Sequence, residues 1–400
     1  MVLGLLLGAW AASFAQTTVP LPRVFLVDPQ KAHSVREKAR AGSEGLAGAL
    51  DKLRKDARKS VKFGPVTVTG KEKLPPSGDR HDYYSLAPYW WPDPSKPDGK
   101  PYIRRDGEVN PERDLLRDRD NFRDLQRHVY LLSVGYYFLG EEDFARHAAL
   151  LLRTWFIDST TRMNPHMNYA QAIIGRNEGR GAGLIEAANL SLVVDAIGFL
   201  GGSPWWSGDD QRGTEAWFTE YSRWLKESPI GMDEADAPNN HGSWYDQQSA
   251  SIALFLGRRD QAKAIVAEAK TKRIGAQIEP DGSQPKELAR TRSLHYSLFI
   301  LEALFRLALL GDRLGVDLWH HTTGDGRSIR AALDFVAGAA TNRKAWTFKE
   351  IGDVPAAEFS TLFHIAAWRY SDREYARQAK AVSRNFEREL HNLMYPLIAY

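Results

Sequence analysis

Residues 296–314 read YSLFILEALFRLALLGDRL, and this stretch decides the predicted fold. Its apolar residues recur at the spacing of an α-helix. They also cover nearly the whole circumference of that helix, and a helix that is apolar all round is buried on every side. We therefore expect residues 296–314 to form an inner helix, surrounded by other helices of the same domain.

Helical patterns of the same kind occupy most of the remaining chain, and Gly-Asp, Gly-Glu or Gly-Arg breaks separate several of them. The first helices of successive pairs recur at roughly fifty to sixty-five residues, a spacing typical of helical hairpins in a toroid or solenoid. The predicted fold is all-α, an incomplete (α/α) toroid. The predicted helices cover residues 31–59 with a break near Gly42, and 121–139, 141–156, 183–199, 209–225, 244–256, 260–272, 296–314, 327–337, 356–369 and 372–390.

Residues 64–112 interrupt this helical pattern with a long irregular segment that is rich in aromatic residues. Residues 66–69 are its best candidate for a β-strand. A loop of this length in a compact domain is usually functional. Aromatic rings stack on sugar rings and arginines fork onto carboxylates, although aromatic side chains also pin loops to a core. We predict substrate contacts from Tyr89, Trp90, Trp91, Arg104 and Arg105.

Composition limits the possible partners and the cellular location. The 400 residues carry a net charge of +3 with scattered basic residues, which does not favour a nucleic acid partner. Residues 1–15 resemble a signal peptide with a cleavage site after Ala15, too short for a membrane span. We therefore expect a periplasmic or secreted protein whose residues 16–400 form one domain. The absence of cysteine excludes disulfides and thiolate chemistry.

The most unusual polar string is NNHGSWYDQQ, residues 239–248. Ser243 and Asp246 have the spacing of a capping box, which predicts a helix from Trp244 onwards. Asn239, Asn240 and His241 would then lie beside free backbone N–H groups, where an anion is favoured and a charged imidazole is not. Alternatively, Asn240 caps the helix and His241 fills the core.

Two further strings carry candidate site residues. Residues 175–181, GRNEGRG, form a predicted polar turn with Arg176 and Asn177, and their glycine spacing does not fit a dinucleotide-binding loop. In residues 290–296, RTRSLHY, two arginines precede Tyr296. A phenol near arginine is expected to have a lowered pKa, although Tyr296 also fits an ordinary core position.

Other chemistries have less support. The sequence lacks H-E-x-x-H, and His320-His321 has no helical two-ligand spacing, so we predict no metal and no cofactor. The sequence also lacks the Gly-x-Ser-x-Gly motif of α/β-hydrolases. Four carboxylates are candidates for the acid pair of a glycoside hydrolase: Glu178, Asp236, Asp246 and Glu287.

The strings NNHGSWYDQQ and SLAPYWWPDP, residues 85–94, together with Arg290, Arg292 and Tyr296, resemble the alginate lyase superfamily of polysaccharide lyases. The resemblance implies an (α/α) toroid and cleavage of a uronic-acid polymer by β-elimination without a metal. It also implies an acid-base pair, Tyr296 and His241, and carboxylate neutralisation by one of Arg290 and Arg292 with an amide.

Several choices stay open within that resemblance. The neutralising amide is Asn240, Asn239 or Asn177, and elimination is syn or anti. Trp244 and Tyr245 are further expected substrate contacts. The first candidate substrate is alginate that contains mannuronate, and the second candidate is β-1,4-glucuronan. The alternative hypotheses are a glycoside hydrolase on an α/α barrel and a non-catalytic polysaccharide-binding protein, and the sequence predicts no oligomeric state.

Overall fold

Helices carry most of the part that the computed structural model describes, residues 21–397. The predicted signal peptide lies outside these residues. The α-helices are α1 Pro29–Arg40, α2 Glu44–Ser60, α3 Asp118–Leu139, α4 Glu142–Leu152, α5 Leu190–Phe199, α6 Gly208–Glu227, α7 Pro229–Ala235, α8 Asn240–Phe255, α9 Arg259–Ala269, α10 Pro285–Leu288, α11 Ser293–Leu314, α12 Ile329–Thr341, α13 Ala356–Tyr370, α14 Arg373–Val382 and α15 His391–Met394.

The helices form two concentric layers. Helices α3, α5, α8, α11 and α13 pack against one another in chain order as the inner layer, and α4, α6, α9, α12 and α14 lie outside them. Helix α1 and the short helix α15 lie between α13 and α3. The predicted incomplete (α/α) toroid is therefore confirmed.

Helix α11 occupies the buried inner position that its composition predicts. It begins three residues earlier than expected, and its apolar side chains are almost completely buried. Leu298, Leu301, Leu304 and Phe305 belong to one core cluster that also includes residues of α8, α9, α12, α13 and α14. Burying one such side chain stabilises the fold by about 1.5–3 kcal/mol, so α11 contributes strongly to the stability of the toroid.

The short strands lie mainly in the irregular segment, at positions that the sequence analysis did not predict. In the described part of the chain the strands are β1 Tyr84–Leu86, β2 Trp90–Trp91, β3 Ile103–Arg104 and β4 Tyr169–Ala172. Strand β1 pairs with β4 in parallel, and β2 pairs with β3 in antiparallel fashion. The strand prediction for residues 66–69 was wrong, because Val68–Gly70 forms a 3-10 turn that Thr67 caps.

Two predicted helices are shorter than expected. Residues 183–199 divide into a 3-10 helix, Gly181–Ala187, and α5. Residues 372–390 contain α14, which ends at Val382, and a separate 3-10 turn, Phe386–Arg388. Apolar periodicity continued through both breaks, so the sequence pattern did not reveal them.

Two segments of the described chain have the length and apolar composition of a membrane-spanning helix: Gly181–Phe199 and Ser293–Leu314. Most of each segment is buried among the other helices of the fold. Core helices of a large domain have the same composition, so this finding is weak evidence for a membrane span.

A buried carboxylate attaches the N-terminal lead-in to the inner layer. Asp195 on α5 is fully buried and accepts hydrogen bonds from the backbone N–H groups of Phe25 (2.7 Å) and Leu26 (3.0 Å). Burial raises the pKa of Asp195 to about 7, against the opposing effect of these two donors.

Replacing this carboxylate should destabilise the protein, because Asp195→Ala leaves two backbone donors without an acceptor. We expect a loss of about 2–4 kcal/mol in the free energy of unfolding, measured by urea denaturation. Asp209→Ala is the control, since that side chain is exposed. A loss below about 0.5 kcal/mol, the level of an ordinary surface substitution, would contradict this account of the lead-in.

Candidate active site

A cleft of about 720 Å³ opens at one end of the toroid. Its walls come from the first turns of α3, α8 and α11, from the end of α7, and from strands β2 to β4. The irregular segment therefore covers the same end of the toroid at which three helices begin.

Helix α8 begins earlier than the sequence analysis predicted. Asn239 is its N-cap and accepts a hydrogen bond from the backbone N–H of His241 (3.3 Å). Ser243 lies inside the helix and donates to Gln277 (2.6 Å), while Asp246 pairs with the buried Arg273 (2.7 Å). The capping-box prediction was wrong, because two tertiary contacts use the side chains that would have made it.

His241 is oriented by a carboxylate from the preceding helix. Its Nδ1 atom lies 2.7 Å from Glu234 Oε1, and Glu234 is buried. A carboxylate oxygen only accepts hydrogen bonds, so Nδ1 carries a proton, and in the neutral imidazole the free lone pair is then on Nε2. This arrangement suits His241 to accept a proton. The sequence offered no signal for Glu234, since Asp233 and Asp236 are equally near along the chain.

Tyr296 lies in the first turn of α11 and meets the irregular segment across the cleft. Its hydroxyl is 2.9 Å from that of Tyr89, and the Arg290 guanidinium carbon lies 3.8 Å from the centre of its ring. Burial, followed by the nearby Tyr89, raises the pKa of Tyr296 despite Arg290. The predicted lowering of this pKa was therefore wrong, and Tyr296 holds its proton at neutral pH.

Asp106 attaches the irregular segment to the residues that precede α11. Its carboxylate accepts from Arg290 Nη2 (2.8 Å) and from the backbone N–H of Thr291 (3.0 Å). Arg290 and Thr291 hold the pKa of Asp106 well below its usual range, against the effect of burial. Gly107 follows with φ +78°, and a Cβ there would overlap Thr291 and Ile351, so only glycine allows this close approach.

The C-terminal third of the chain braces the same helix start. Glu350 accepts hydrogen bonds from the backbone N–H groups of Leu294 (2.9 Å) and His295 (3.2 Å). Glu358 on α13 lies 3.0 Å from the Nδ1 atom of His295, which also lines the cleft. Carboxylates from two later elements therefore hold the turn that carries Tyr296.

Asn240 is also held by a carboxylate. Its backbone N–H donates to one oxygen of Glu287 (2.7 Å), and its amide nitrogen donates to the other (2.8 Å). Glu287 is buried, which raises its pKa, although both hydrogen bonds from Asn240 oppose the shift. One of the two amide hydrogens of Asn240 is therefore already used.

The structure brings most of the predicted site residues to the cleft. The residues that line it are Tyr89, Trp90, Arg104, Asn239, Asn240, His241, Trp244, Arg290 and Tyr296. Six others do not line it, namely Trp91, Arg105, Arg176, Asn177, Tyr245 and Arg292.

Local contacts explain why these six point elsewhere. Arg105 lies over the ring of Trp91 and Arg176 over that of Trp90. The Asn177 side chain accepts from its own turn, at Ile173 N (3.2 Å). The Tyr245 hydroxyl donates to Leu225 O (2.9 Å), and Arg292 lies 3.9 Å from Glu350. Of the two arginines before Tyr296, only Arg290 reaches the cleft.

The hydrolase carboxylates are not arranged as an acid pair. Asp246 and Glu287 are buried against Arg273 and Asn240, and Glu178 does not line the cleft. Asp236 lines the cleft with an exposed side chain near Lys272. Within residues 21–397, no group of three or more His, Asp or Glu side chains is suited to hold a metal ion.

A family model described as alginate lyase matches residues 67–346 of the chain. The chain belongs to the alginate lyase family. It is a polysaccharide lyase. Family membership therefore argues against the two alternative hypotheses, a glycoside hydrolase and a non-catalytic polysaccharide-binding protein. The matched region includes the irregular segment, α8 and the start of α11.

Solved structures of family members share this fold. An alginate lyase from Bacteroides ovatus is 37% identical, with a TM-score of 0.90 over 94% of this chain and 100% of its own. A histidine-to-alanine variant of alginate lyase A1-III, complexed with a tetrasaccharide, is 18% identical, with a TM-score of 0.64 over 96% and 98% of the two chains. The A1-III lyase from Sphingomonas species A1 has a TM-score of 0.61 at 18% identity over 96% and 99%. At 18% identity the likeness concerns the fold alone. No match was found among curated proteins.

Glu234→Gln tests the orientation of His241. A glutamine amide both donates and accepts, so it no longer requires the proton on Nδ1. We expect the turnover number to fall at least about tenfold, as for other partners that orient a functional histidine, with an unchanged melting temperature. The assay is polymer cleavage, with the exposed Glu227→Gln as control. Equal turnover in the two variants would refute the orienting role.

Proposed function

We propose that this polysaccharide lyase cleaves alginate by β-elimination, with His241 and Tyr296 as the acid-base pair. The observation that carries the proposal is the geometry of the cleft, where a proton-accepting imidazole and a protonated phenol meet the same space. β-Elimination needs a base for the C5 proton and an acid for the leaving O4.

Two observations support alginate as the substrate. The Bacteroides ovatus relative, 37% identical over nearly the whole chain, is named an alginate lyase. Trp90 and Arg104 also line the cleft, and an aromatic ring beside a guanidinium suits a polymer that is both a sugar and an acid. β-1,4-Glucuronan is the second candidate, because it offers the same carboxylate beside C5.

Because the pKa of Tyr296 is raised, its phenol is better suited to act as the acid than as the base. In guluronate the C5 proton and O4 lie on opposite faces of the ring, so His241 would take the proton and Tyr296 would protonate O4. In mannuronate and glucuronate they lie on the same face, so Tyr296 would have to act first as a tyrosinate. Elimination through the His241–Tyr296 pair is therefore the easier route at neutral pH.

The substrate proposal is tested by following ultraviolet absorbance on polymannuronate, polyguluronate, glucuronan and hyaluronan. We expect absorbance from unsaturated uronate ends to rise with the two alginate polymers. A rise with glucuronan alone would make glucuronan the substrate. New reducing ends without any absorbance would contradict β-elimination itself.

Variants separate the two roles. Tyr296→Phe removes the acid and should lower turnover at least about 100-fold on every polymer that the wild type cleaves. His241→Ala should have a comparable effect on polyguluronate and a smaller one on polymannuronate. His320→Ala is the matched control, because it also pairs with a carboxylate (Asp317, 2.8 Å) but does not line the cleft. Full activity of Tyr296→Phe would disprove its role.

The pH dependence follows from the direction of the Tyr296 shift. Below a raised pKa, the tyrosinate fraction grows tenfold with each pH unit, so turnover on polymannuronate should climb from about pH 7 to about pH 10. On polyguluronate the phenol stays protonated, and no alkaline decline is expected in that range. An alkaline decline centred near pH 8, about two units below the ordinary tyrosine value, would contradict these roles.

We also propose that the enzyme is exported to the periplasm or the medium. The apolar N-terminal run with small residues at positions 13 and 15 supports this proposal. N-terminal sequencing of protein from the periplasm and the medium should find a chain that begins at Gln16. Full-length protein confined to the cytoplasm would contradict it.

A further inference from the structure

The structure has a second cavity, of about 470 Å³, that is separate from the cleft. Its walls come from residues 66–73, from strand β1 and from residues 115–121, and none of the side chains that line it lines the cleft. Small-molecule sites in proteins usually have volumes of about 300–1,000 Å³. The cavity is therefore large enough to hold a ligand, and the elimination chemistry does not use it.

The start of α3 lies between this cavity and the cleft. Asp118 and Asn121 line the cavity, whereas Arg119 and Arg123 line the cleft. Adjacent residues of a helix point in different directions, while residues three or four apart share a face. Helix α3 therefore presents one face to each space. The two spaces are neighbours, and one long polymer chain can occupy both of them.

Two polar groups in the cavity have no hydrogen-bond partner within residues 21–397. They are the hydroxyl of Tyr84, a residue that is only 9% exposed, and the side-chain amide of Asn121. Asp118 lines the same cavity with 2% exposure, and its Oδ2 atom is held by Lys71 (2.6 Å) and by the backbone N–H of Tyr84 (3.0 Å). Buried polar groups of proteins are normally paired. A hydroxylated ligand would supply the partners that Tyr84 and Asn121 lack.

The exposed side chains that line the cavity are apolar or positively charged, with one exception. Leu115 is 75% exposed, more than any other large apolar side chain of the described residues. In the same part of the chain, Lys73 has no carboxylate within 4.0 Å, and Arg117 reaches only Asp120, at 3.9 Å. Glu72 is the exception, so two cations face one exposed carboxylate. The mouth of the cavity therefore favours an anion that also has an apolar face.

An acidic sugar combines the features that these side chains recognise. Its hydroxyls both donate and accept hydrogen bonds, as the free phenol and the free amide require. Its ring has an apolar C–H face for Leu115, and its carboxylate suits Lys73 and Arg117.

We propose that this cavity is a second binding site for the acidic polysaccharide and holds a part of the chain that lies outside the cleft. The inference rests on the proposed function for its ligand, a polymer of uronic acids. No bond is made or broken in the cavity, since the proposed base and acid both line the cleft. The second site therefore contributes to the affinity for long chains and not to turnover.

One chain that occupies both sites is bound more strongly without any new contact in the cleft. Once the cleft holds the polymer, its neighbouring sugars are at a high effective concentration at the second cavity. A weak site then raises the affinity for a long polymer. A short oligosaccharide has no such advantage, because it cannot occupy both sites at once.

The test compares KM values for long and short substrates in the double variant Lys73→Glu/Leu115→Ala. We expect the KM for the polymer that the wild type cleaves best to rise at least about fivefold, because a charge contact and an apolar contact are both lost. The KM for a tetrasaccharide of the same polymer and both turnover numbers should stay unchanged. Lys55→Glu/Leu150→Ala is the matched control and should equal the wild type, since both side chains are exposed and lie outside both spaces.

Thermal unfolding separates substrate binding from a structural role. Asp118→Asn would leave the buried Lys71 without its counter-ion and should lower the melting temperature, so the exposed side chains at the mouth are used for the test instead. The melting temperature of Lys73→Glu/Leu115→Ala should equal that of the wild type. A lower melting temperature, with KM values raised for long and short substrates alike, would overturn the proposal.

An unchanged KM for the polymer would also overturn it. A binding measurement distinguishes this failure from failure of the proposed function. Polymannuronate and polyguluronate should bind the Tyr296→Phe protein at least about fivefold more tightly than the Tyr296→Phe/Lys73→Glu/Leu115→Ala protein, while tetrasaccharides should bind both equally. Equal polymer affinities overturn the second site, whereas absent unsaturated products from the wild type would overturn β-elimination instead.

Discussion

The site depends on one contact. The carboxylate of Asp106 accepts hydrogen bonds from the side chain of Arg290 and from the backbone N–H of Thr291. It fastens the irregular segment to the residues that begin α11, a largely buried helix of the inner layer. Charge-assisted hydrogen bonds of this kind are the strongest that side chains form. Because the segment is fixed there, Tyr89 meets Tyr296 across the cleft, and the segment forms one wall of the site.

The same contact decides how charge is distributed in the cleft. Asp106 forms an ion pair with Arg290, and Glu287 accepts a hydrogen bond from the amide of Asn240. Glu234 accepts a hydrogen bond from Nδ1 of His241. Protein carboxylates thus satisfy most of the donors that a polyanion would seek. The ion pairs that stabilise the cleft therefore also limit where a substrate carboxylate can bind.

The fold followed from the sequence because apolar periodicity reports burial directly. The burial of α11 and the order of the hairpins needed no long-range information. The site could be predicted only in part. The sequence motifs indicate His241 and Tyr296, but they do not indicate the side chains that contact them. Glu234 and Glu358 act through contacts with side chains of other elements. The direction of the pKa shift of Tyr296 was also predicted wrongly, because the effect of burial on this pKa outweighs that of the neighbouring arginine.

The most direct test of this account is a crystal structure of the Tyr296→Phe variant with a bound alginate tetrasaccharide. The account predicts that the C5 carbon of one uronate faces the Nε2 atom of His241, that its O4 atom faces position 296, and that Asp106 is still bound to Arg290. A sugar whose C5 carbon lies away from His241, or a carboxylate paired with Arg290 after displacement of Asp106, would contradict it.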